Sequence, residues 1–238
     1  MRSGMVWRAG VAVLGMAALA GPASAQGGDP LERVNRYTHG LNAALRAHVL
    51  TPAARAYVGQ VPAEVRQGIG QALSNLGEPV TAIAGLAGGE FAIAGNALQR
   101  FGINTVLGYG GVRDVAAERG LAPRPFGLAD AACGWGVPSG PYLVLPVLGP
   151  STLRDAAASI ATGLALSQAL GAEALLGWQA GSSFHGYAEV HRDLDAADAQ
   201  ALDPYAMQRS AHLQRRARAC PGDGALQVAA GLVEAEEE

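Results

Sequence analysis

Apolar residues recur at three- and four-residue intervals through most of this 238-residue chain, whereas strand patterns are almost absent. Residues 30–49 carry such an apolar face behind a helix-start sequence at Asp29, and residues 62–76 carry another that we expect to end at Gly77. The one candidate strand lies at residues 142–145. Together these patterns predict an all-α fold built as a bundle of amphipathic helices.

A helical hairpin is predicted over residues 79–107, with its two arms joined at Gly88 and Gly89. The first arm has about nine residues, or roughly 13 Å, which is too short for a hydrocarbon core of about 30 Å. We therefore expect the hairpin to dip into one membrane leaflet at most. Glycines inside the arms predict close packing of backbones or the wall of a narrow passage, with tight packing in a soluble core as the alternative. These glycines are Gly85, Gly95 and Gly102.

The second half of the chain predicts further helices. One begins at Ser151 and breaks near Gly163 or Gly171, and its uncharged run of residues 156–172 raises a transmembrane alternative. That alternative is weak because alanine, serine, threonine and glycine contribute little to membrane insertion. Two more polar helices are expected, and they cover residues 184–200 and 204–218.

Between the hairpin and Ser151 lies a long segment, residues 108–150, that is rich in glycine and proline. Loops of this length without regular structure are usually functional or disordered, and the leucine, valine, tryptophan and tyrosine content here argues against disorder. We therefore expect a functional, irregular segment.

The first 25 residues have the pattern of a secretory signal peptide. Arg2 and Arg8 give a positive start, residues 11–20 are apolar, and the small residues before Gln26 form a cleavage site. An uncleaved membrane helix is the alternative. The predicted organisation is a signal peptide at 1–25, one helical domain at 26–220 and a disordered acidic tail at 221–238.

Composition indicates contact with lipid rather than with nucleic acid. Hydrophobic residues make up 50% of the chain and charged residues only 16%, against about 25% charged residues in ordinary globular domains. A chain with so little charge is expected to keep apolar surface in lipid. The formal net charge of -3 argues against a nucleic-acid partner.

No pattern of catalytic or metal-binding residues stands out. The sequence from Gly136 to Gly140 lacks the spacing of a serine hydrolase, and His191 points away from the helical face shared by His185 and Glu189. We therefore expect neither an enzyme nor a bound metal or cofactor.

Two sets of residues carry structural expectations. Cys133 and Cys220 of an exported chain either form a disulfide or remain buried thiols. The neighbouring pairs Arg113-Asp114 and Arg154-Asp155 are expected to tie the irregular segment to its helices, with contact to a lipid phosphate as the alternative role of either arginine.

Four blocks of sequence occur in an order that resembles the MlaA (VacJ) family of outer-membrane proteins. The first reads D-P-L-E-R-V-N-R from Asp29, and the second reads S-N-L-G-E-P from Ser74. The third comprises the glycine-rich runs 100–116 and 134–155. The fourth reads L-D-P-Y-A-M-Q-R-S-A-H-L-Q-R-R from Leu202.

The resemblance implies a ring-shaped helical protein in the periplasmic leaflet of the outer membrane, beside a porin trimer. It implies a central amphipathic channel through which misplaced phospholipids leave the outer leaflet for a soluble periplasmic carrier. A periplasmic lipid-binding or scaffold protein without transport is the rival reading. Candidate residues of the channel are Leu41, Asn42, Gly108, Gly110, Gly111, Gly140 and Tyr142.

This chain departs from the family in its anchor. Members are typically lipidated on a cysteine at the start of the mature protein, but the first cysteine here is Cys133. We therefore expect an exported, non-lipidated protein that lies at the outer membrane or otherwise in the periplasm.

Overall fold

A computed structural model describes residues 29–221, and helices account for most of them. The predicted signal peptide and all but the first residue of the predicted tail lie outside the described residues. The elements are α1 (Glu32–Leu45), a π-helical turn (Arg46–Leu50), α2 (Thr51–Gln60), α3 (Ala63–Ala87), α4 (Phe91–Val106), α5 (Val115–Glu118), α6 (Leu128–Gly134), β1 (Tyr142–Leu145), β2 (Gly149–Thr152), α7 (Leu153–Leu170), α8 (Ala172–Gln200) and α9 (Pro204–Ala219).

The hairpin of α3 and α4 turns at Gly88 and Gly89, as predicted, but its first arm is much longer than expected. The prediction that a helix ends at Gly77 is wrong, because α3 continues through Gly77 and Pro79 for 25 residues, or about 37 Å. Packing of α3 against α4 and α8 outweighs the local stop signals. Even so, within residues 29–221 no helix has the length and apolar character needed to cross a membrane.

The helix after β2 differs in detail from the prediction. Thr152, rather than Ser151, caps α7, because its hydroxyl accepts the backbone N–H of Asp155. The helix continues through Gly163 and stops at Gly171, whose φ of 86° is available to glycine at little cost. Beyond this break, α8 is one helix of 29 residues that includes the predicted 184–200, and α9 begins after Asp203, as expected.

Regular structure interrupts the segment 108–150, which was expected to be irregular. It contains α5, α6 and the predicted strand β1, which pairs antiparallel with β2 so that Tyr142 lies opposite Thr152. The sequence Gly-Pro-Ser-Thr of β2 has little strand propensity, so β2 was missed.

Two asparagines of α1 bind the free edge of this strand pair. Asn35 donates to the carbonyl of Tyr142 and accepts the N–H of Val144. One heptad later, Asn42 donates to the carbonyl of Leu145 and accepts the N–H of Val147. The α1 helix therefore supplies hydrogen bonds of the kind that a third strand would supply.

Contacts between the elements form a closed circuit, consistent with the predicted ring-like bundle. The α1 helix contacts β1, and β2 contacts α7, which packs on α8. In turn α8 packs on α2, which continues from α1 through the π-helical turn. The α3–α4 hairpin attaches to this circuit through α6 and α8.

A disulfide between Cys133 and Cys220 joins the end of α6 to the end of α9. The two positions are 87 residues apart in the sequence, so the bond restricts a large part of the unfolded chain.

Replacing both cysteines by serine should lower the free energy of unfolding by about 4 kcal/mol. Guanidinium unfolding of the detergent-solubilised protein, followed by tryptophan fluorescence, measures the change. Reduced wild-type protein is the control and should match the double variant. Equal stability of the oxidised wild type and the variant would contradict the prediction.

Candidate functional site

A polar trough runs between α3 and α8 beneath the segment that joins α5 to α6. It consists of two adjoining cavities of about 360 Å³ and about 390 Å³, within the range of small-ligand sites. The residues common to both cavities are Gly70, Ser74, Pro123 and His185. Those found in only one cavity include Arg66, Gln67, Gln71, Glu78, Thr81, Arg100, Asn104, Asp114, Arg124, Trp178, Ser182 and Glu189.

The imidazole of His185 lies where the two cavities meet. Its Nδ1 is 3.2 Å from the hydroxyl of Tyr57 on α2, while its Nε2 faces Gly70 so closely that a Cβ there would overlap it. Gly70 is therefore the position on α3 that leaves room for the ring. Any larger side chain at Gly70 must displace His185 or fill the trough.

Arg66 holds one end of the trough together. Its guanidinium forms an ion pair of 2.8 Å with Glu189 of α8 and donates to the carbonyls of Val58 and Val61, at the end of α2. Three helices thus meet at one side chain.

A buried ionic cluster forms the wall opposite α8. The guanidinium of Arg100, 3% exposed, donates to Glu78 at 2.6 Å and to Asp114 at 3.0 Å, and a third hydrogen bond goes to the carbonyl of Leu121. Asn104 donates to Asp114 and accepts the N–H of Ala116. These bonds fasten residues 114–121 to the hairpin, and they provide partners for charges that would otherwise be costly to bury.

The cluster favours the charged forms of Asp114 and Arg100. Burial raises the pKa of Asp114, but hydrogen bonds from Arg100, the backbone N–H of Ala117 and Asn104 outweigh it, so the pKa lies below its usual value. Burial likewise lowers the pKa of Arg100, yet Asp114 and Glu78 raise it above the ordinary range.

Apolar side chains cover the outside of the same helices. Among exposed large hydrophobic residues on α3 and α4, the exposed fraction is 65% for Ile83, 72% for Phe91 and 55% for Leu98. The buried positions of these two helices hold alanine, glycine and polar groups instead, among them Asn75, Glu78, Ala82, Ala94, Arg100 and Asn104. Such an arrangement is inverted with respect to a water-soluble protein.

The hairpin glycines lie in different settings. A Cβ at Gly85 would be 3.0 Å from the backbone nitrogen of Ala94, so this glycine permits the close approach of α3 and α4. Added Cβ atoms at Gly95 and Gly102 would meet nothing within 4 Å. Close packing therefore explains one of the three.

None of the seven channel candidates lines the two cavities. Leu41 is exposed on α1, beside Asn42 and its bonds to the strand turn. Tyr142 is buried against Val144 and Tyr205 in a small core cluster.

The glycines among these candidates shape turns. A Cβ at Gly108 would overlap the carbonyl oxygen of Arg113, and one at Gly111 would lie 2.6 Å from Asn75 Cβ. Gly140 has a φ of 69° and faces Leu153 at 3.0 Å, whereas Gly110, with a φ of 74°, faces open space.

The two predicted arginine–aspartate pairs behave differently. Arg113 binds Glu118 on the surface rather than Asp114, which belongs to the Arg100 cluster. Arg154 does contact Asp155, and its guanidinium also approaches Cys220 and the carbonyl of Val137. Asp155 in turn binds Arg216 of α9. Asp114 therefore connects the segment to α4 through Arg100, and Asp155 connects the start of α7 to α9, whereas Arg113 does not pair with Asp114.

Sequence reasoning missed the trough, although a signal for it existed. Polar or small residues of α3 recur at helical spacing on the face opposite the apolar one, at Gln67, Gly70, Gln71, Ser74, Glu78 and Thr81. His185 and Glu189 do share a helical face and both line the trough, while His191 is buried elsewhere. Within residues 29–221 no group of histidine, cysteine or acidic residues could hold a metal.

The fold and the site define a class of helical protein with an apolar exterior and a polar interior. Residues 27–219 match the family described as MlaA lipoprotein. This chain belongs to that family.

Known relatives are similar over most of this chain. The "Intermembrane phospholipid transport system lipoprotein MlaA" of Escherichia coli strain K12 is 32% identical over 200 residues, covering 79% of this chain and 76% of that protein. A protein of Rickettsia felis is 34% identical over 139 residues, which is 58% of this chain. The match spans 55% of the length of that relative.

A solved structure has the same fold. It is named "Structural basis for maintenance of bacterial outer membrane lipid asymmetry", and its chain is 32% identical with a TM-score of 0.71. The superposition covers 81% of this chain and 99% of the other.

Acidification should weaken the Arg100 cluster. The pKa of Asp114 is lower in the folded state than in the unfolded chain, where it is about 3.9. Ionised Asp114 therefore stabilises the fold fully at pH values above the unfolded pKa, and this stabilisation is lost as the pH falls through the folded pKa. Asp114→Asn should lower the free energy of unfolding by about 2 kcal/mol at pH 7 and should flatten its pH dependence below about pH 5. The exposed Asp193→Asn is the control, and an equally flat profile there would contradict this assignment.

Proposed function

We propose that this chain is a phospholipid transport component of the outer membrane. In this proposal it removes misplaced phospholipids from the outer leaflet and passes them to a periplasmic carrier, which maintains lipid asymmetry. The observation that carries the proposal is the inverted arrangement of α3 and α4, which have a polar trough on one side and exposed apolar side chains on the other.

The trough addresses the barrier that a lipid headgroup meets in hydrocarbon. Moving charged phosphate and amine groups out of water without partners costs many kcal/mol. Side chains such as Gln67, Gln71 and Ser74 offer hydrogen bonds along the route. A headgroup in the trough therefore keeps polar partners while its acyl chains remain in lipid.

The apolar exterior supports residence in a membrane leaflet. Exposed Ile83 and Phe91 flank the hairpin turn, and no helix of residues 29–221 could cross a membrane. Such a surface gains free energy by entering lipid. We propose that the protein sits in the periplasmic leaflet of the outer membrane.

The names of its relatives support the same role. The Escherichia coli protein is named as part of an intermembrane phospholipid transport system, and the similar structure is described in terms of outer-membrane lipid asymmetry. By this likeness we propose a porin trimer and a soluble periplasmic lipid carrier as partners. This passive role requires no catalysis by the chain.

Five of the seven channel candidates have roles outside the trough in this proposal, and none of the seven lines it. Asn42 holds the turn after β1, while Gly108 and Gly111 allow the sharp turns that end the hairpin. For Leu41 and Gly110, exposure alone is consistent with contact to lipid.

Blocking the trough should stop transport. Gly70→Leu places a branched side chain against His185 at the junction of the cavities, whereas Gly95→Leu on α4 points into open space. In cells that lack their own family member, Gly70→Leu should leave outer-leaflet phospholipid, measured by phospholipase access, at the level of cells without the protein. Gly95→Leu should restore the wild-type level.

Ser74→Leu is a second variant that obstructs the trough, and it changes the contact between α3 and His185 of α8 less than Gly70→Leu does. Circular dichroism verifies that each variant is folded. Folded, trough-blocked variants that still clear the outer leaflet would contradict the transport role and favour a lipid-binding or scaffold protein without transport.

Membrane residence should depend on the exposed apolar residues. The double variant Ile83→Asp and Phe91→Asp should shift partitioning from phospholipid vesicles to water by roughly 100-fold or more, because each side chain contributes at least about 1.5 kcal/mol when buried in lipid. Vesicle flotation measures this. The exposed Gln99→Asp, also on α4, is the control for added charge and should float like the wild type.

A further inference from the structure

Among residues 29–221, one arginine in the wall of the trough has no acidic partner. The three acidic residues that line the two cavities are each bound to an arginine, Glu189 to Arg66 and the other two, Glu78 and Asp114, to Arg100. Arg124 lines the larger cavity, and within residues 29–221 it forms neither a hydrogen bond nor an ion pair. Its positive charge is therefore available to a ligand.

A short proline-containing segment, residues 121–126, presents this arginine over the trough. The carbonyl of Leu121 accepts a hydrogen bond of 2.6 Å from Arg100. At the other end, the ring of Phe126 lies so close to Gly88 that an added Cβ would be 3.1 Å from it. Pro123 and Pro125 restrict the backbone on both sides of Arg124. The segment is therefore fixed at its ends and stiff at its centre.

The same cavity contains a second polar group without a partner. The hydroxyl oxygen of Ser182 on α8 is buried and has no hydrogen-bond partner within residues 29–221. Ser182 lines the cavity together with Arg124, Ser74 and Thr81. A guanidinium and hydroxyl groups that line one cavity are suited to the oxygen atoms of a phosphate group.

We infer that Arg124 and Ser182 form a phosphate-binding subsite that receives the phosphodiester of a lipid headgroup. This assignment rests on the proposed function. It specifies where in the trough the lipid binds and which group of the lipid is recognised. The glycerol and acyl chains extend from the subsite toward the apolar exterior. Because the three acidic residues that line the cavities are bound to other arginines, the phosphate meets a positive charge that has no acidic partner within residues 29–221.

Binding of short-chain lipids to the purified full-length protein tests the subsite. The probes are dihexanoyl phosphatidylglycerol, dihexanoyl phosphatidylethanolamine, and dihexanoylglycerol, which lacks the phosphate. Arg124→Gln should weaken binding of both phosphate-bearing probes by about tenfold and leave dihexanoylglycerol unchanged. Arg124→Lys should retain most of the affinity, because it keeps the charge.

Arg119→Gln is the matched control, since Arg119 is also exposed but lines neither cavity. Equal binding of the phosphate-bearing probes by the wild type and Arg124→Gln would overturn the subsite while leaving the transport role intact. A wild type that binds none of the three probes would instead count against the proposed function itself. Inorganic phosphate is the remaining probe. If it displaces the phosphate-bearing lipids at concentrations similar to theirs, the site binds free phosphate, and the headgroup subsite is overturned.

Discussion

The ion pairs of the buried Arg100 guanidinium are the interactions that hold the interior of the hairpin region together. Arg100 binds Glu78 and Asp114 and so joins the α3–α4 hairpin to the segment that follows it. A core of leucine and isoleucine does not do this in the hairpin, because no large apolar residue of α3 or α4 is buried and alanine, glycine and polar residues occupy its interior. Directional bonds replace much of the packing that usually holds helices together.

The sequence blocks that resemble the family meet in space. In the first block Asp29 binds Tyr205 and Arg36 binds Asp203, both of which belong to the last block. Glu78 of the second block binds Arg100 at the start of the glycine-rich runs. Residues that are far apart in the chain are therefore direct partners in the structure.

Local signals predicted the helical class from apolar spacing, the hairpin turn from Gly88 and Gly89, and the last helix from Asp203 and Pro204. Apolar spacing alone was not sufficient. It failed at Gly77 and Pro79, where contacts from α4 and α8 keep the helix continuous, and at β2, whose strand exists because β1 is beside it. The trough was missed for a related reason. Polar residues on an amphipathic helix ordinarily indicate water, and only the assembled structure reveals that this face is turned inward.

The asparagine pair of α1 has a consequence for association between molecules. An exposed strand edge is a template for pairing with another chain, and secreted proteins with such edges are prone to aggregate. Asn35 and Asn42 occupy the backbone groups of β1 and of the turn that follows it. A newly exported copy that has folded this far no longer offers that edge to its neighbours.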